Sequence, residues 1–306
     1  MHGGREAADG NEAQGLHVQA HATGLRAGAA VCLCADDFGL DAGVNAAIVQ
    51  LADMGRVQAT GVLVGAPAFR RGAPALAGLR ARGLEVGLHL DFTEFALLPG
   101  ARRALAALIR QSYVGGLAAS TVRAEIHAQL DAFAAACGHA PDFVDGHQHV
   151  HQLPVIRTVL LDVLQQRGAA VRPWLRRTRC TLCPAQAGGW RGWAKAKVIE
   201  TLGAAALENA ARQAGFAQNR ALLGVHGFDA DVPRYRQLLE GWLRAAQRGD
   251  LLMCHPGTGD GGGDPLAQSR RVEFQVLADP ALDAMLARCN VRLQPLRQTL
   301  VEGIAA

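Results

Sequence analysis

Eight short apolar runs, spread from residue 31 to residue 293, alternate with stretches of helical periodicity. The runs cover residues 31–35, 60–64, 84–90, 143–144, 171–175, 221–225, 251–254 and 291–293. Between them, segments 43–54, 71–82, 122–137, 154–166 and 235–248 carry apolar residues at the spacing of one helix face. Repeated strand-then-helix units specify parallel sheet, because parallel neighbours need a long crossover and a helix is the usual one. The expected fold is α/β: a (β/α) barrel-like parallel barrel, irregular in places, with inserted loops at its active face. An open doubly wound sheet is the alternative. Segments 95–118 and 176–220 break the rhythm and contain Gly115, Gly116, Pro184, Gly188, Gly189, Trp190 and Trp193. They are expected to be loops that shape a substrate pocket.

Four of the runs end in Asp or His: VCLCADD at 31–37, LEVGLH at 84–89, FVDGHQHVH at 143–151 and LLMCH at 251–255. A parallel barrel gathers the C-terminal ends of its strands around one site. Residues as distant as Asp36 and His255 are thereby expected to converge on one metal ion and one water. Adjacent carboxylates on a strand point to opposite faces. A break in the strand lets both Asp36 and Asp37 reach one site, one as a ligand and the other as a proton acceptor. Asp41, just before a helix, is the better capping candidate. His89 closes a strand close to Asp91 and Glu94. His147, His149 and His151 alternate; extended backbone would put all three on one face, and a turn after His147 would separate them. Neutral imidazole is a common metal ligand, with Asp145 an acceptor able to orient one ring. His255, stopped by Pro256 and Gly257, is placed to protonate a leaving group. His226 holds the matching position on another run, where pocket lining and core packing are equally expected.

Other chemistries are weakly represented. The net charge of +4 comes with no basic stripe interleaved with aromatics, so nucleic acid is not an expected partner. Seven cysteines, an odd number placed mostly in apolar runs, argue against a secreted disulfide framework. Cys180 and Cys183 form a CxxC without the second pair of a structural zinc site. GTGDGGGD at 257–264 lacks a following GK[ST], and no G-x-S-x-G elbow occurs. No segment reaches the ~20 apolar residues of a membrane span, and no apolar signal core opens the chain. Residues 1–29 are expected to be a mobile extension, residues 30–306 one domain, and the location cytoplasmic. A homodimer is left open.

ADDFGLDAGVNAAI, GLHLDFT, DGHQHVH and CHPG, in this order and spacing, resemble the YdjC/ChbG family of carbohydrate deacetylases, which includes hopanoid-associated HpnK-type proteins. RRVEFQVL resembles the family's Arg-rich, Glu-containing helix. The resemblance covers residues 31–280. It implies a barrel-like fold and removal of acetyl from an N-acetylated amino sugar, from chitooligosaccharide to glycolipid. By motif position it makes Asp37, His89 and His147 ligands of one divalent ion, magnesium or zinc, with manganese, cobalt or nickel as alternatives. Asp36 becomes the general base and His255 the acid. His149, His151 and Asp145 are further candidates as ligands or ligand supports, and Asp91, Thr93 and His226 as pocket residues. Asp91-Phe92-Thr93 departs from the family pattern. The rival readings are another metal-dependent amidase or phosphoesterase, and a sugar-binding protein on a decayed barrel.

Overall fold

The computed structural model describes residues 28–168, 172–259 and 263–302, together with Met1. Eight strands form one parallel sheet: β1 (Ala29–Phe38), β2 (Ala59–Val62), β3 (Glu85–Leu90), β4 (Phe143–Gly146), β5 (Trp174–Leu175), β6 (Leu222–Leu223), β7 (Asp250–Cys254) and β8 (Val291–Leu293). The order is β5-β4-β3-β2-β1-β7-β6, and β8 pairs with residues 29–31 of β1. The edges β5 and β6 are each two residues long. They are joined by irregular backbone: the Leu175 amide donates to Ala217 and the Leu222 amide to Arg179, at 2.9 and 2.8 Å. The sheet therefore curls into an irregular barrel, as the alternating runs predict, and the open doubly wound alternative falls away.

Helices cover the outside: α1 (Ala42–Asp53), α2 (Phe69–Ala81), α3 (Leu105–Val114), α4 (Ala119–Cys137), α5 (Ile156–Arg167), α6 (Trp190–Thr201), α7 (Ala204–Gln213), α8 (Val232–Ala245), α9 (Ala267–Ala278), α10 (Ala281–Arg288) and α11 (Leu296–Glu302). Helix α1 shows why the pattern was readable. Asp41 accepts from the Val44 amide at 2.8 Å and caps it, and Val44, Ala47, Ile48 and Leu51 form its buried face. The strands are buried on both faces, so they read as continuous apolar runs.

Two expectations are corrected. Segments 95–118 and 176–220 are not simple loops; they fold into α3, α6 and α7. The helix expected over 154–166 does not start at Pro154, because Val155 stands at φ 54° and α5 begins at Ile156. Trp174 packs in the core as a lone Trp is expected to, stacked on Phe143 at 4.2 Å between ring centres. The extension, apart from Met1, Gly28 and Ala29, lies outside the described residues, as does Val171 of the fifth run.

Candidate metal centre and active site

All four Asp- and His-bearing strand ends meet at the C-terminal mouth of the barrel, on the floor of a cavity of about 1230 Å³. The first contribution depends on a break in β1. Its register with β2 shifts between Ala35 and Phe38, and Asp37 sits at φ 70°, in the left-handed region. A bulge of this kind re-aims side chains, so both Asp36 and Asp37 line the cavity despite their adjacency.

Asp37, His89 and His147 offer one ligand atom each, all within 4.8 Å of one another. Asp37 Oδ1 lies 3.1 Å from His147 Nδ1 and 3.5 Å from His89 Nε2. His89 is fixed from behind. It faces Asp145 in the β3–β4 register, and its Nδ1 donates to Asp145 Oδ1 at 2.6 Å, which leaves Nε2 facing Asp37. Gly61 makes room for the ring: a Cβ there would stand 3.1 Å from His89 Nδ1. Burial alone would lower the His89 pKa, but Asp145 and Asp36 outweigh it and raise it. His147 is raised well above its usual value, against its burial, chiefly by Asp37.

Behind this set stands a residue the sequence reading missed. Arg176 is fully buried and holds both oxygens of Asp36 at 2.6 Å and Asp145 Oδ2 at 2.5 Å. Burial would raise the Asp36 pKa; Arg176 reverses this and holds it well below the usual carboxylate range. His255 Nε2 lies 3.9 Å from Asp36 Oδ2, and burial lowers its pKa, so the ring is neutral near pH 7. Two further residues come from α9. Arg270 donates to Asp37 Oδ2 at 2.8 Å and to Asp264 Oδ2 at 2.6 Å. Glu273 accepts from the His255 amide at 2.7 Å, from Tyr235 at 3.1 Å, and contacts His226 at 3.0 Å. The segment RRVEFQVL, with Arg270 and Glu273, was singled out in the sequence, though the fold alone shows which of its charges turn inward. Arg176 was not: it is one of four arginines in LRRTR and its neighbourhood, with no period to mark it.

The chain turns after His147, with Gln148 and His149 at φ 52° and 60°, so the three histidines do not share a face. His149 lines the cavity, and burial first and Arg176 second hold its pKa well below the usual value. His151 turns away to the Arg176 carbonyl at 2.9 Å; burial lowers its pKa to about 4. Neither joins the Asp37 group. Asp91, Thr93 and His226, expected in the pocket, do not line it. Asp91 instead fastens the turn after β3, accepting from the Thr93, Glu94 and Phe95 amides, and His226 is buried against Glu273.

The side walls of the cavity come from the two insertions. Leu105 and Ile109 of α3 and Val198 and Ile199 of α6, with Leu202 just beyond it, make them strongly apolar.

An α/β barrel whose strand ends bring an Asp–His–His set together beside a paired Asp and a His has the donors to hold a divalent ion. The chain belongs to the YdjC-like protein family, whose sequence model matches residues 30–288. It is 31% identical over 296 residues to a carbohydrate deacetylase of Homo sapiens, covering 85% of this chain and 87% of that one. A chitooligosaccharide deacetylase of Klebsiella pneumoniae (strain 342) is 28% identical over 271 residues, covering 86% and 96%. A solved structure from Enterococcus faecalis V583, described as a candidate cellobiose-phosphate cleavage protein, shares the fold. Its TM-score is 0.64 at 18% identity, over 89% of this chain and 98% of that one.

Proposed function

We propose that this chain is a carbohydrate N-deacetylase dependent on one divalent metal ion. The observation that carries the reading is the convergence of Asp37, His89 and His147 beneath a large cavity, with Asp36 and His255 beside them. Membership of a family with deacetylase relatives supports it.

The donor set fits a divalent cation. Two imidazoles and one carboxylate suit zinc or another first-row ion, and three ligands leave positions open for water and substrate. The same carboxylates that draw protons onto His89 and His147 would favour a cation in their place. Asp37, His89 Nε2 and His147 Nδ1 would hold it, and the ion would polarise the acetamide carbonyl and acidify water.

The chain's own residues handle the protons. Asp36, oriented by Arg176, accepts a proton from the attacking water. Its Oδ2 lies 3.9 Å from His255 Nε2, beyond direct hydrogen-bond reach, so the proton passes to His255 when the gap closes or a water bridges it. His255, neutral beforehand, carries it to the amine nitrogen as the C–N bond breaks, releasing acetate and the free amino sugar. Glu273 fixes the His255 backbone during the transfer.

One observation counts against a two-metal phosphoesterase. The second ligand-competent group, Asp36–His89–Asp145, is already occupied by the Arg176 guanidinium. The apolar walls favour a glycolipid-type substrate over a long chitooligosaccharide, whose hydroxyls call for polar partners. Among the described residues, no tryptophan lines the cavity as a stacking platform for sugar rings.

The test is acetate release from N-acetylated sugars of increasing length and from an N-acetylated glycolipid, with metal added or chelated. Activity lost on chelation and in His147→Ala is expected. Acetate release that survives both would sink the reading.

A further inference from the structure

Two features of the rim around the cavity are not used by the deacetylase chemistry. The first is its apolar surface. Among the described residues, eight large hydrophobic side chains are exposed, and five of them, Leu97, Tyr113, Val114, Trp190 and Val198, belong to the two insertions at the mouth. Val114 and Trp190 are about 70% exposed. The Tyr113 hydroxyl donates to the Leu202 carbonyl at 2.9 Å, so α3 and the end of α6 form one continuous rim. Clustered exposed apolar side chains mark an interaction surface, whereas scattered ones do not.

The second feature is charge. Residues 95–118 contain Arg102, Arg103 and Arg110 and no Asp or Glu. Residues 176–220 hold eight Arg and Lys against Glu200 and Glu208. Arg176 is buried on Asp36 and Asp145, and Arg177, Lys197 and Arg220 pair with Glu208, Glu200 and Asp250, so none of these four supplies free charge to the rim. Arg102, Arg110 and Arg191 are exposed, and among the described residues none of them forms an ion pair.

We propose that this rim docks on an anionic lipid bilayer, with the cavity mouth facing the membrane. Tyr and Trp are the side chains suited to the headgroup boundary, because one end is apolar and the other polar. Arginines beside them are attracted to anionic headgroups. A second copy of the chain is the poorer occupant: a two-fold contact would set the same arginines against each other. Nucleic acid would use the arginines but leave Val114, Val198 and Leu97 without a partner. The inference needs neither the metal nor catalysis, so it stands or falls apart from the proposed reaction. If both hold, a membrane-borne acetylated glycolipid would enter the cavity along its apolar walls.

The experiment is co-sedimentation of the full-length protein with vesicles, without substrate. Vesicles containing phosphatidylglycerol should retain it, and pure phosphatidylcholine vesicles should not. Binding should weaken as salt rises. Val114→Glu with Trp190→Glu, and separately Arg102→Glu with Arg110→Glu, should each lower the vesicle partition coefficient on the order of tenfold. Circular dichroism and acetate release from a short soluble sugar check that these variants remain folded. Three results would overturn the proposal: no preference for anionic vesicles, binding unchanged in both variants, or a dimer on size-exclusion chromatography that dissociates in the Val114→Glu/Trp190→Glu variant. RNA binding at equal strength that ignores the apolar substitutions would overturn it as well.

Discussion

Replacing Arg176 with Met tests the buried charge arrangement directly. Arg176 is fully buried and bridges two buried carboxylates, Asp36 and Asp145. Asp145 keeps a second partner in His89, at 2.6 Å. Asp36 does not: its remaining charged neighbours are His89, already engaged by Asp145 and Asp37, and His255 at 3.9 Å, whose pKa is lowered. Without Arg176, folding must therefore either bury an uncompensated carboxylate or protonate it. Protonation is the cheaper course. At pH 7 an Asp with the ordinary pKa of 3.8 lies about 3 units above its midpoint. At 1.36 kcal/mol per unit, neutralising it costs about 4 kcal/mol. That agrees with the roughly 3–5 kcal/mol known for removing one partner of a buried ion pair.

The sign with pH follows from linkage. In the wild type, Asp36 has a depressed folded pKa, so its contribution is present above the ordinary value and is lost only as pH falls below it. In Arg176→Met, the folded pKa rises, so the variant binds a proton that the unfolded chain releases and loses stability as pH rises. Its deficit should shrink by about 3 kcal/mol between pH 7 and pH 5. Urea unfolding with chelator present, at pH 5, 6 and 7, measures this. A deficit under about 1 kcal/mol, or one constant across that range, would refute the reasoning. Asp36→Asn placed on top of Arg176→Met should recover much of the loss at pH 7.

Further predictions follow from the same contacts. Asp145→Asn removes the charge that orients His89, and zinc affinity by calorimetry should fall about 10–100-fold; unchanged affinity would mean that His89 needs no such support. Asp41→Ala deletes the α1 cap and should cost about 1 kcal/mol in thermal or urea unfolding. Ile109→Asn and Ile199→Asn make the cavity walls polar, and each should raise KM for an acetylated glycolipid by about tenfold or more while sparing a short sugar; equal effects on both substrates would count against an apolar aglycone in the cavity.

Much of the fold was legible because its signals are local. Continuous apolar runs marked the strands, since both faces of a parallel sheet are buried, and β8 falls on residues 291–293 as expected. Asp41 was recognisable as a cap from its position alone. The insertions were harder. Helices α3 and α6 sit between the barrel and solvent in Gly-, Pro- and Trp-containing sequence, and their apolar residues face a cavity, so they resembled loops. The residues of the candidate site split in the same way. Asp36, Asp37, His89, His147 and His255 stood at the ends of recognisable strands, and strand ends in a parallel barrel have one place to go.

What the sequence determined, then, was which elements form and which side chains stand at their tips, because periodicity and termination signals are written over a few neighbouring residues. Tertiary structure alone decided how those tips are arranged. The Asp37 bulge turns two neighbouring carboxylates into one site, and the turn at Gln148 and His149 separates three histidines that alternate in the chain. Arg176, Arg270 and Glu273 acquire their importance only where distant segments meet, since a buried charge is defined by the partners that surround it.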